Sequence, residues 1–402
     1  MNKEHIAALV RGLCIDLAGR PQIVVTEAAE NVPPNAMRIE IGSGESEENI
    51  IRAVNRAYKN WNKESLDNSG TVLLPSCAAL CVSNKVEALY WTDTDLDSAR
   101  KRLSERNTAP RREVTTKRST TVEAAERAAV VKNRAALVTG GAQGIGEEIA
   151  RNLAAAGALV FIADLNLDRA AKLADEINAA EGRTAALAIE ANVSSEASVR
   201  AMFNVIAETA GGLDLVVSNA GVLKAGSVLE QELDDFKFAT DVNYTGFFIV
   251  SKFAGRILRV QHLAAPNWNT DIVQINSKSG LEGSNKNGAY AGGKFGGLGL
   301  VASFALELVE YNIKVNAICP GNFLDGPLWS DPVKGLFVQY LNAGKVPGAN
   351  SLADVRSFYE AKVPMKRGCT GKDLMRALFY IVEQEYETGQ AVPVTGGQVM
   401  LH

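Results

Sequence analysis

The chain has 402 residues, 47% hydrophobic and 22% charged, with 42 Lys+Arg against 46 Asp+Glu and a formal net charge of −4. That length exceeds one ordinary domain and predicts two, with too much apolar content for global disorder. The near balance of charge excludes a dominant pull toward nucleic acid or an anionic membrane, no run reaches the roughly 20 apolar residues of a membrane span, and a small-molecule partner is expected.

In chain order, residues 1–97 open with a helical stretch and continue through the β-branched run IVVTE, the run MRIEI, the helical ENIIRAVNRAYKNW and the apolar TVLLP. This is a small α/β module. It carries no glycine fingerprint and no histidine cluster, and its role is not readable. Residues 98–133 are basic and polar, with few large apolar side chains, and read as an exposed linker that ends in a short helix, TVEAAERAAVVKNR. The linker lacks the interleaved aromatics of a single-strand RNA-binding arm. The five cysteines are an odd, scattered set, which argues against a disulfide framework and fits a reducing cytoplasm. Cys77 and Cys81 have none of the three histidines near them, so no metal site is expected.

From 134 to 402 the pattern becomes regular. Short apolar runs (AALVTG, ALVFIAD, TAALAIEANV, LDLVVSNAG, DIVQINS, IKVNAICPG) alternate with helix-length stretches. Strands without polar alternation are buried on both faces, and their alternation with helices demands crossovers, which predicts an α/β fold with a doubly wound parallel sheet.

The first of these strands runs into Thr139-Gly140-Gly141-Ala142-Gln143-Gly144-Ile145-Gly146 and then a helix. Glycines at 140, 144 and 146 allow a tight turn and close approach to a pyrophosphate, whose charge is met by the helix N-terminus. The second strand ends at Asp164, 18 residues after Gly146 and next to Leu165. A carboxylate there bonds ribose hydroxyls and repels a 2′-phosphate, which favours NAD over NADP, although Arg169 lies close in sequence. Tyr290 and Lys294 are spaced i,i+4 at the start of a helical run, so they share a face, and Ser277 ends a strand thirteen residues before Tyr290. A phenol beside a fixed cation becomes a base near neutral pH, as alcohol oxidation requires.

The glycine spacing GxxxGxG, with Ser218-Asn219-Ala220-Gly221, Asn243 in DVNYTG, Ser277 and Tyr290-Ala291-Gly292-Gly293-Lys294, resembles the short-chain dehydrogenase/reductase family, whose fold is Rossmann-like. The resemblance implies a nicotinamide site lined by Gly140, Gln143, Gly144, Ile145, Gly146, Asp164, Leu165, Asn192, Val193, Asn219, Ala220, Gly221, Tyr290, Lys294, Pro320, Gly321 and Phe323. It implies catalysis by Asn243, Ser277, Tyr290 and Lys294: the tyrosine as base, the lysine holding the nicotinamide ribose, the serine bonding the reacting oxygen and the asparagine placing a water. It also implies a homotetramer built on helices near 235–260 and 285–310. Two departures stand out: Gly326 replaces the threonine that bonds the carboxamide, and Asn192 replaces the aspartate of the third-strand pair.

The strings QINSKSG, KFGGLGL, VPMKRGC and VTGGQVM resemble members of the family that oxidise sugar-alcohol phosphates. The implied reaction is D-sorbitol 6-phosphate plus NAD to fructose 6-phosphate plus NADH. A dianionic phosphate needs cationic donors, and Lys278, Lys286 and Lys224 lie nearest the motifs. Alternatives are another polyol phosphate, a 3-oxoacyl thioester, or an NAD-sensing regulatory protein. The segment between Gly326 and Pro364 follows the strands' carboxyl edge and is expected to form a lid, with Phe337, Tyr340 and Phe358 expected to pack rather than to bind.

Overall fold

The computed structural model describes residues 3–62, 71–114, 127–333, 335–342, 344 and 346–400. Its first part contains α1 (Lys3–Ala18), β1 (Ile23–Glu27), β2 (Met37–Ile41), α2 (Glu47–Trp61), β3 (Thr71–Leu74), β4 (Cys77–Val82), β5 (Lys85–Asp93), α3 (Leu96–Glu105) and β6 (Arg111–Val114). Four strands form a mixed sheet in the order β1-β5-β4-β2, and β3 pairs with β6 as an antiparallel ribbon. In α2, Ser46 caps the first turn by accepting from Asn49 N, and Ile50, Ala53, Val54 and Ala57 give it one buried face. The β4–β5 hairpin turns on Ser83 and Asn84, both left-handed at φ 48° and 68°, the backbone of a type I′ turn.

Residues 98–114, expected to be exposed connector, instead carry most of α3 and all of β6. Two of their arginines find partners inside the module: Arg102 bonds Asp93 at 2.5 Å, and the buried Arg111 donates to Gln22 Oε1 at 2.9 Å and Thr92 Oγ1 at 3.1 Å. Residues 115–126, with the first part of the short helix expected at the end of the linker, lie outside the described residues. The remainder of that stretch forms a 3-10 turn, Arg127–Val131.

The second part alternates strand and helix: β7 (Ala135–Thr139), α4 (Gly144–Ala155), β8 (Leu159–Asp164), α5 (Leu167–Glu181), β9 (Ala186–Glu190), α6 (Glu196–Ala210), β10 (Leu215–Ser218), α7 (Leu233–Thr240), α8 (Gly246–Ala264), β11 (Thr270–Ile275), α9 (Gly288–Leu308) and β12 (Ile313–Pro320). Three short helices, α10 (Pro327–Ser330), α11 (Leu336–Asn342) and α12 (Leu352–Ala361), precede α13 (Gly371–Glu383) and β13 (Ala391–Val394). The seven strands are parallel, in the order β13-β12-β11-β10-β7-β8-β9. β7, β10, β11 and β12 are buried along their whole length, as a sheet covered on both faces requires. The winding reverses between β7 and β10, which opens a crevice beyond their carboxyl ends, where this architecture binds ligands.

The module and the sheet share one hydrophobic core, running from Ile6, Leu9, Val24 and Tyr90 through to Phe203, Phe253 and Leu258. At its centre Arg11 Nη2 meets Asp214 Oδ2 at 2.7 Å with both side chains fully buried. Arg11 also donates to Gln22 O and Gln261 Oε1, while Asp214 accepts from Ala135 N and Trp268 Nε1. Burial pushes the Asp214 carboxyl up, but Arg11, Arg134 and these hydrogen bonds outweigh it and hold the group below the usual range.

Against the expectation of no span, one helix among the described residues, Gly288–Tyr311, is long and apolar enough to cross a membrane by length and composition. Here it lies against the sheet at β12. Its composition reflects small residues facing the site and an apolar outer face on which Phe295, Leu306 and Val309 are exposed.

Candidate active site

The crevice is built around the β7–α4 turn. Gly140 and Gly144 take left-handed φ of 59° and 56°, and a Cβ on Gly146 would stand 2.1 Å from Gly140 O. No side chain fits there, so backbone N–H groups line the turn and α4 starts with its positive end toward the crevice. Asp164 ends β8 with Oδ2 accepting from Ala142 N at 3.1 Å and Oδ1 from Asn166 N at 3.0 Å. Beside it Leu165 is exposed, and Arg169 donates to Gln143 Oε1 at 2.8 Å across the mouth of the turn. Asn192 spends its amide oxygen on Ser194 N and Oγ, and Val193 is buried against the start of α8.

Asn219 stitches the end of β10 to β7: its Nδ2 donates to Thr139 O and Gly140 O, and the N–H groups of Asn219 and Ala220 donate to Thr139 Oγ1. Between α7 and α8 the helix widens into a π turn, Asp241–Thr245, which holds the buried Asn243. Both ends of that amide bond one residue, its Nδ2 donating to Val222 O at 2.8 Å and its Oδ1 accepting from Val222 N at 3.0 Å. Asn243 thus pins the loop after Gly221 beside α9.

Tyr290 and Lys294 lie on one face of the first turns of α9, with Lys294 Nζ 5.6 Å from the centroid of the Tyr290 ring. Lys294 is buried and donates to Ile275 O at 2.9 Å. Burial lowers its ammonium to about 8. Burial also raises the Tyr290 phenol, opposed by a hydrogen bond with the Ser277 side chain. Ser277 Oγ in turn accepts from Ser279 N at 3.1 Å.

Across the crevice, Gly321 at the end of β12 donates its N–H to Val394 O at 2.9 Å. A Cβ on Gly326 would lie 2.4 Å from the Phe323 ring. The glycine found where a threonine was expected is therefore matched to its neighbour, because the ring fills the space a larger side chain needs. The segment after Gly326 packs Trp329, Phe337, Val346 and Val355 on Leu324 in a small core of its own, with Tyr340 and Phe358 against it. Pro327, at the start of α10, reaches to 3.3 Å from the Cβ position of Gly144, so this cover touches the glycine turn.

The three lysines considered for phosphate binding are not equivalent. Lys224 Nζ sits 2.9 Å from Asp235 and Lys278 Nζ 3.3 Å from Glu282. Lys286 is exposed in a left-handed turn (φ 54°) and accepts from Gly226 N through its carbonyl. Among the described residues no group of histidine, cysteine or acidic side chains could hold a metal ion, and all five cysteines are buried and outside any disulfide. Two buried amides behind Ser277, Gln274 and Asn276, escaped the sequence reading because Asn276 donates to Lys294 O on α9, about twenty residues further along the chain, and Gln274 accepts from Asn276.

Residues 134–330 match the short chain dehydrogenase family model. Sorbitol-6-phosphate 2-dehydrogenase of Escherichia coli is 38% identical over 271 residues, a match that takes in 67% of this chain and 99% of that enzyme. This chain belongs to the short-chain dehydrogenase/reductase family. It is also 36% identical over 196 residues to trans-4-hydroxycyclohexanecarboxylate dehydrogenase of Sinomonas cyclohexanicum, covering 48% of this chain and 73% of that enzyme. Among solved structures it is similar to sorbitol-6-phosphate 2-dehydrogenase of Erwinia amylovora, with a TM-score of 0.61 and 38% identity over 66% of this chain and all of that one. An active-site complex of Pseudomonas aeruginosa RhlG with NADP gives 0.58 and 27% over 68% of this chain. As a member of the family this chain is an oxidoreductase that uses a nicotinamide cofactor, and the cradle at Gly140, Gly144 and Gly146 fits the pyrophosphate of such a cofactor.

Proposed function

We propose that this enzyme oxidises a sugar-alcohol phosphate, D-sorbitol 6-phosphate foremost, to the ketose phosphate with NAD. The observation that carries the substrate is the match to sorbitol-6-phosphate 2-dehydrogenase along nearly that enzyme's whole length. NAD is favoured over NADP because the Asp164 carboxylate, with one bond on each oxygen, keeps further lone pairs for two ribose hydroxyls and places negative charge where a 2′-phosphate would sit. Arg169 does not offset it, being engaged with Gln143.

A nicotinamide held at the Gly140–Gly146 turn would supply the hydride acceptor for carbon 2 of the polyol. The chain supplies the rest. Ser277 hydrogen-bonds the reacting oxygen, and Tyr290 as phenolate takes the hydroxyl proton. Burial raises the Tyr290 phenol and the Ser277 hydrogen bond opposes it; a cation on Lys294, 5.6 Å from the ring centroid, favours the anion further. A lysine lowered to about 8 can also release and regain a proton near neutral pH. Asn243 fixes the loop 221–222 against α9 and so the wall of the cleft. Lys286, with Lys278 and Lys224 turned from their carboxylates, faces the dianion of the substrate. The exposed apolar residues of α9 with Phe248 on α8 favour assembly with further copies of the chain, and five cysteines outside any disulfide favour the cytoplasm. The test is kcat/KM for D-sorbitol 6-phosphate, mannitol 1-phosphate, free sorbitol and a 3-hydroxyacyl thioester with either nicotinamide cofactor. D-sorbitol 6-phosphate with NAD is expected to lead. A lead by the thioester would overturn the proposal.

A further inference from the structure

Strand β11 and helix α9 bring the reacting groups together, so whatever fixes their separation fixes the distance from Ser277 to Tyr290. Side chains two apart on a strand share a face, and Gln274 and Asn276 are each only 2% exposed. Asn276 Nδ2 donates to the main-chain oxygen of Lys294 at 2.9 Å and to Gln274 Oε1 at 2.7 Å, while its Oδ1 accepts from Ser277 N at 2.8 Å. One carboxamide therefore touches the serine through its amide and the lysine through its carbonyl. Lys294 closes the loop by donating its Nζ to Ile275 O at 2.9 Å.

The surroundings are cut to admit these amides. A Cβ on Gly280 would stand 2.2 Å from Asn276 Oδ1, and a Cβ on Gly297 would stand 2.5 Å from Gln274 Nε2. Both neighbouring backbones approach as closely as glycine permits. Burying two carboxamides costs free energy unless their hydrogen bonds are made, and three of those made here run to or between the segments that hold Ser277 and Lys294. A hydrophobic pair would have filled the same space without that penalty.

We infer that Asn276, oriented by Gln274, is a positioning residue: it sets the register of Ser277 against Lys294 and Tyr290. The inference rests on the catalytic reading of Ser277, Tyr290 and Lys294 given above. Misplacement of reacting groups by about 1 Å lowers rates on the order of a hundredfold. Loss of the bridge is therefore expected to fall on kcat, with the KM values for NAD and polyol phosphate little changed. It should also loosen Lys294 from Tyr290, which raises the phenol and moves the acid limb of the kcat profile to higher pH.

The experiment compares the full chain with Asn276→Ala, Gln274→Leu and Tyr290→Phe, measuring kcat, both KM values, the pH profile and thermal unfolding. Asn276→Ala should lower kcat roughly ten- to a hundredfold and shift the acid limb upward, and Gln274→Leu should do the same more weakly. If Asn276→Ala does not fold, Gln274→Leu decides alone. Unchanged kcat and an unmoved limb in a folded variant, with Tyr290→Phe inactive, would overturn the inference. An active Tyr290→Phe would instead overturn the catalytic reading beneath it.

Discussion

At the edge where its strands begin, the seven-stranded sheet buries charge in pairs: Arg11 on Asp214 at 2.7 Å, Lys314 on Asp271 at 2.9 Å. At the edge where they end, Lys294 is just as buried, and among the described residues no carboxylate pairs with it. Its partner is the carbonyl of Ile275, and burial alone pulls its ammonium down. A paired buried charge holds elements in place; a buried cation beside a phenol in an open crevice has a proton to exchange. The module thus belongs to the structural edge. Arg11 threads α1 into the foot of the sheet, far along the strands from Tyr290, which explains how an enzyme of this family carries an added part without altering its reacting groups.

The contrast predicts opposite signatures at the two edges. At the reactive edge, Tyr290→Phe should reduce turnover by about a thousandfold, the order expected for loss of a general base, while thermal unfolding stays close to that of the parent chain. At the structural edge, Arg11→Met should leave the buried Asp214 without its main cation and destabilise the fold by about 3 to 5 kcal/mol. Turnover per folded molecule should be unchanged in Arg11→Met, and Asp214→Asn in the same chain should recover part of the loss. Urea unfolding with activity assays on both variants checks the pair. The pH dependence has a defined sign: Asp214 titrates lower in the folded than in the unfolded chain, so its contribution is present above the unfolded pKa and lost as pH falls through the folded one. Denaturation midpoints should fall on acidification in the parent chain, and less steeply in Asp214→Asn.

A smaller effect is expected at the cofactor mouth. Asp164→Ser removes the charge opposing a 2′-phosphate, so kcat/KM for NADP relative to NAD should rise on the order of tenfold. The smallest effects belong to the lysines. Lys286→Gln should raise KM for the phosphorylated substrate severalfold and leave free sorbitol untouched, and Lys278→Gln should do less because Glu282 already holds that ammonium.

The reactive edge was largely legible in the sequence, since a glycine turn, Asp164 after the next strand, and Tyr290 four residues before Lys294 are local demands written in local order. What escaped was set by long-range partners. Arg11 and Asp214 are 203 residues apart, and neither one announces the other. Arg102 and Arg111 read as solvated until Asp93 and Gln22 supply their partners. The β4–β5 hairpin was hidden because Ser83-Asn84 lacks the glycine that usually marks such a turn. Gln274 and Asn276 stand in the string beside Ser277, but only the nearness of α9 gives Asn276 the Lys294 carbonyl to hold.

The most direct measurement follows the hydride itself. The full chain would be incubated with D-sorbitol 6-phosphate deuterated at carbon 2 and NAD, and the reduced cofactor and sugar phosphate read by mass spectrometry. Deuterium is predicted on the nicotinamide in equal amount with fructose 6-phosphate formed, and both about a thousandfold slower with Tyr290→Phe. Absence of labelled reduced cofactor, in a preparation that oxidises some other alcohol, would contradict the proposed reaction.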